Sequence, residues 1–96
     1  MNIVFDDEYI RQMTELIVSG FIGWMLLQPE ADRMNTAFEQ VMRVLGQDQG
    51  GQQIALEDYQ AAYDEASWLS GIAWSNSFEE MAAILDAAAD RFSHAF

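Results

Sequence analysis

From Leu16 to Leu27 the chain reads LIVSGFIGWMLL, twelve residues without a charge. This stretch limits the fold more than any other. The residues before it, Asp7–Glu15, make an amphipathic lead-in. At about 100° per residue, Glu8, Arg11, Gln12, Glu15 and Ser19 share one side of a helix. Tyr9, Ile10, Met13, Leu16 and Ile17 share the other. Val18, Ile22, Met25 and Leu26 then fall where the polar side should continue. A helix that is apolar all round is buried by its neighbours, by a second subunit or by lipid. Lipid fits poorly, because a span needs about twenty apolar residues. Charges also close in on both sides, with Glu15 before the run and Glu30 and Asp32 after it.

Ser19, Gly20 and Gly23 lie inside this helix. Each glycine costs about 1 kcal/mol of helix propensity. Close approach by another helix would compensate, whether that helix is internal or in a second copy. The expected self-association surface is therefore Val18, Ser19, Gly20, Ile22, Gly23, Met25 and Leu26, and the expected assembly is a homodimer or larger.

The rest of the chain reads as three further helices. Gln28-Pro29 ends the first, and Pro29 suits the first position of the second. The second runs from about Pro29 to Leu45, with Ala31, Met34, Ala37, Phe38, Val41, Met42, Val44 and Leu45 on its apolar side and Gly46 as the stop. So short a connection predicts an antiparallel hairpin of helices one and two. Gln47–Gln53 is a loop. Read as a calcium loop from Gly46, it offers Asp48 and Glu57 but glycine at two ligand positions, too few oxygens for an EF-hand. The third helix runs from Leu56 to about Ser70, with a split expected near Gly71. Ser77 and Glu80 form a capping box that opens the fourth, Phe78 to about Ser93. Trp24 and Trp74 are core candidates. The fold class is an all-α bundle of about four helices in a single domain, 1–96.

Charge decides which functions remain. Sixteen acids stand against four arginines and no lysine, a net charge of −12. Phosphate contacts need a basic surface, so direct nucleic-acid binding is not expected, nor is an anionic membrane. A basic protein partner is favoured. There is no cysteine, which removes disulfides and thiolate chemistry and suits a reducing compartment. The N-terminus carries acids where a signal peptide carries basic residues. The expected location is the cytoplasm.

Catalysis has little to draw on. His94 is the one histidine, and with Asp90 it reads as a solvated helix-end pair. Gly50-Gly51 has neither the strand nor the lysine of a phosphate loop. No enzyme, cofactor or metal is expected.

The third helix carries the better signal. Glu57 and Asp64 are seven residues apart, as are Asp58 and Glu65. Each pair points almost one way, about 10 Å apart along the face. Trp68 falls in the same sector. An aromatic flanked by acids is the make-up of an interface anchor, with charge that steers a basic partner. A competing acidic row on the fourth helix, Glu79, Asp86 and Asp90, lacks an aromatic. The expectation is a small acidic protein that binds and inhibits a basic, nucleic-acid-handling partner. Immunity proteins, antitoxins and phage anti-restriction or anti-CRISPR inhibitors share that size and charge, though no motif links them to this chain. The alternative is a structural protein that self-associates through Leu16–Leu27.

Overall fold

The computed structural model describes residues 7–96, with side chains from Arg11 onward. It holds four helices: α1 (Asp7–Met25), α2 (Ala31–Gln49), α3 (Leu56–Ser75) and α4 (Glu79–Ser93). No strand occurs among the described residues, so the chain is an all-α bundle. The side chains of Glu8, Tyr9 and Ile10 in the expected lead-in fall outside what is described.

The bundle measures 48 × 35 × 17 Å. Its short dimension holds about two helix layers at 8–10 Å spacing. The central element is α3, which packs most extensively on α4 and next on α2. The expected α1–α2 hairpin is a minor contact, and α1 touches α2 and α4 about equally. The core is drawn mainly from α2, α3 and α4. Met34, Ala37, Phe38, Val41 and Val44 come from α2, and Met81, Leu85, Ala88, Ala89 and Phe92 from α4. From α3 come Ala62, Ala66, Leu69 and Ala73. Only Phe21 and Met25 of α1 are buried among its described side chains. The all-round apolar half-helix is thus covered on one side alone. Met25 belongs to the internal core and not to the free surface expected of it. Val18 and Ile22 are half-buried against that core.

Helix ends differ from the sequence reading, and for a shared reason. The second helix passes through Gly46 and stops at Gln49. Gly51 takes φ +73°, the Gln52 N–H bonds the Gln47 carbonyl at 3.0 Å, and the Gly51 N–H bonds Asp48 at 3.1 Å. That pair of bonds is a Schellman ending with Gly51 at C′. Nothing forces a stop at Gly46, because a glycine ends a helix only where the backbone turns left-handed. Pro29 sits in the turn before α2, whose first residue is Ala31.

The third helix shows no split at Gly71 and continues to Ser75. It ends as α2 does. The Phe78 N–H bonds the Ala73 carbonyl at 2.9 Å, the Ser77 N–H bonds Trp74 at 3.3 Å, and Ser77 takes φ +64°. Ser77 is therefore the C′ residue of α3 and not the cap of α4. The cap position of α4 is Phe78, and it makes no side-chain capping bond. The expected capping box does not form, because ending α3 takes the serine first. A non-glycine residue in that region costs about 1–2 kcal/mol. The Phe78 ring offsets part of this by packing edge-on to Phe21, with centroids 5.5 Å apart.

Candidate functional site

The acidic face of α3 is where the sequence places it. Glu57, Asp58 and Asp64 are exposed, and none joins an ion pair among the described residues. Glu65 and Trp68 behave differently. Both are half-buried, and Arg33 of α2 reaches across to them. Its Nη1 donates to Glu65 Oε2 at 2.5 Å and its Nη2 to Oε1 at 2.9 Å. The same guanidinium lies 4.3 Å from the centroid of the Trp68 ring. A carboxylate fork and an aromatic face together make a cradle for one guanidinium. The bond from Glu65 raises the Arg33 pKa further, so the cation persists at any working pH. Sequence spacing finds the acids and the tryptophan. It does not find Arg33, which is 32 positions from Glu65.

The acidic row on α4 is not the aromatic-free surface expected. Asp86 accepts hydrogen bonds from the Ser70 hydroxyl and from Trp74 Nε1, the latter at 3.0 Å. Ser70 is the one buried polar side chain among the described residues, and Asp86 satisfies it. Trp74 is 52% exposed, so it is no core residue. Its indole lies across the gap between α3 and α4 because Asp86 draws the N–H outward. Glu79 is exposed, and Asp90 pairs loosely with His94 at 3.7 Å, both side chains in solvent.

A third cluster escapes sequence reading altogether. Asp48, near the end of α2, accepts from the Tyr59 hydroxyl at 2.6 Å and from Arg91 Nε. These partners come from the first turns of α3 and the last turn of α4. They line an open pocket of about 390 Å³ with His94 and Ala95. Both Asp48 oxygens are occupied, so the carboxylate braces three helices and is not free to act as a base. Among the described residues no three His, Asp or Glu side chains converge on a point that could hold a metal ion.

The hydrogen bond from Tyr59, and then the one from Arg91, hold the Asp48 carboxyl below its usual range. A depressed folded pKa stabilises the native state above the unfolded value of about 3.9, and that contribution is lost as pH falls through the folded value. The Tyr59 phenol is raised, chiefly by the same bond, so its contribution holds below about pH 10 and is lost above it. Asp48→Asn should therefore lower the urea midpoint at pH 7. The difference from wild type should narrow as pH falls from 7 through the folded value of Asp48, below which both side chains are neutral. A gap that stays constant as the pH is lowered would show that the brace does not depend on charge.

No protein-family model matches this chain, and no curated protein or solved structure matches it either. No helix among the described residues is long and apolar enough to cross a membrane.

Proposed function

We propose that this chain is an acidic helical interaction protein of the cytoplasm. It binds and inhibits a basic, nucleic-acid-handling protein, as immunity and anti-defence inhibitors do, and it acts by binding rather than catalysis. The observation that carries this reading is the exposed, unpaired row Glu57, Asp58 and Asp64 on α3, beside the Arg33–Glu65–Trp68 cradle. At a net charge of −12 the molecule attracts a cationic surface over long range. Screening at 0.15 M limits that pull to about 8 Å, so association should slow as salt rises. On contact, an arginine of the partner can replace Arg33 on Glu65 and Trp68. One guanidinium then takes the place of another, and no charge is left stranded in the interface.

The test compares two faces against a partner recovered by affinity purification and then purified. Glu57→Lys with Asp64→Lys should slow association about tenfold, because steering acts on encounter. Glu65 stays untouched, since reversing it would also break its bonds to Arg33. Trp68→Ala should speed dissociation about thirtyfold, the equivalent of roughly 2 kcal/mol for an interface aromatic. Glu79→Lys with Asp90→Lys on α4 should change neither rate. If the α4 pair abolishes binding while the α3 variants bind like wild type, the proposed face is wrong.

A further inference from the structure

The side of α1 turned away from Phe21 and Met25 is open and apolar. Leu16 is 69% exposed and Leu27 84%. Between them on the same face lie Gly20 and Gly23. A side chain added at either glycine would meet nothing within 4 Å. Among the described residues of one copy, then, no neighbouring helix packs on the two glycines. The helical turn continues past Met25, since the Leu26 and Leu27 N–H groups bond the carbonyls of Ile22 and Trp24 at 3.0 and 3.1 Å. The four residues stay within a sector of about 60° and span about 16 Å.

Their order is Leu16-x3-Gly20-x2-Gly23-x3-Leu27, which reads the same from either end. A twofold interface uses the same patch on both copies, so that where one residue meets a second, the second meets the first. We propose that two copies of this chain pair antiparallel through α1, with Gly20 of one facing Gly23 of the other and Leu16 facing Leu27. The glycines let the two backbones approach, and the leucines close over them at each end.

Charge selects a second copy as the occupant. Residues 16–29 carry no charge, in a molecule of net charge −12. A cationic partner gains nothing at this patch. A like-charged copy is repelled over much of the remaining surface and meets little repulsion here.

The chain has no cysteine, so cross-linking reads the register directly. Gly20→Cys protein and Gly23→Cys protein are mixed at equal concentration and oxidised under mild conditions, with circular dichroism confirming the fold of each. Disulfide closure requires the two Cα atoms to lie within about 7 Å. The mixed disulfide should exceed either homodisulfide severalfold over the statistical ratio. Light scattering on the wild type in 0.5 M salt should show a mass rising with concentration from 10.9 kDa toward twice that value. Leu16→Glu should hold the mass at 10.9 kDa. A wild-type mass that never rises would overturn the proposal, and so would homodisulfides that predominate over the mixed product.

Discussion

Phe21→Ala should free α1 from the bundle and cost about 3–5 kcal/mol, the usual range for a buried phenylalanine. A domain of this size has a total stability of about 5–15 kcal/mol. The expected loss is large because α1 has so little else. Its buried side chains among the described residues are Phe21 and Met25, both at 0% exposure, while Ile17, Val18, Ile22 and Trp24 pack only partly. The Phe21 ring also organises an aromatic group at the seam. It stands 5.5 Å from Phe78 and 5.9 Å from Trp24, and those two are 5.2 Å apart. Removing it leaves Trp24 and Phe78 beside a void. The core that α2, α3 and α4 share does not depend on this ring, so the damage should stay local. Hydrogen exchange should show protection falling across Asp7–Met25 while α3 and α4 keep theirs. Trp24 emission should shift to the red. A uniform loss of protection across all four helices would mean that α1 is part of the cooperative core, and the account of a lightly attached helix would fail.

The same asymmetry shows which features a sequence carries openly. The buried faces of α2 and α4 were legible because apolar residues recur at three- and four-residue spacing against polar ones. Met34, Phe38 and Val41 do so, as do Met81, Leu85 and Phe92. In α1 that contrast vanishes after Ile17, and nothing local says which side the neighbours will cover. Phe21 and Met25 settle it only when Phe78 arrives from the start of α4. Helix ends were hidden for a different reason. Gly46 and Ser77 are plausible punctuation on composition alone. The actual stops depend on which residue turns left-handed and which carbonyl receives the return bond, and Gly51 and Ser77 take those parts. In the candidate site, the row Glu57, Asp58 and Asp64 followed from spacing within one helix. Arg33 over Trp68, Trp74 on Asp86 and the Asp48 brace all join separate helices. No periodicity reports such pairs.

Ala66→Leu should destabilise the chain by about 1–3 kcal/mol, because α3 is built to be thin on its buried side. Its buried residues are Ala62, Ala66, Leu69, Ser70 and Ala73, four of the five small. Ala82, Ala88 and Ala89 of α4 are buried as well. Small side chains on packed faces bring helix axes toward the short end of the 8–10 Å range. That closeness lets the Ser70 hydroxyl and the Trp74 indole reach Asp86, and it sets the Asp48 carboxylate against Tyr59 and Arg91. Three added carbons at Ala66, which is 0% exposed, enter a buried seam between helices. They must push α3 away from its neighbours or distort rotamers around it. For a domain of this length the melting temperature should fall by about 4–8 °C per kcal/mol. Ala87→Leu on the exposed side of α4 is the matched control, with an expected change within about 0.5 kcal/mol. The displacement should also carry the acidic row with it. Partner association through Glu57 and Asp64 should weaken in proportion to the shift of α3, even though Ala66 touches no partner. If Ala66→Leu melts like wild type, the α3 seam holds slack that close packing does not allow, and the tight placement of the Asp86 and Asp48 contacts must have another source.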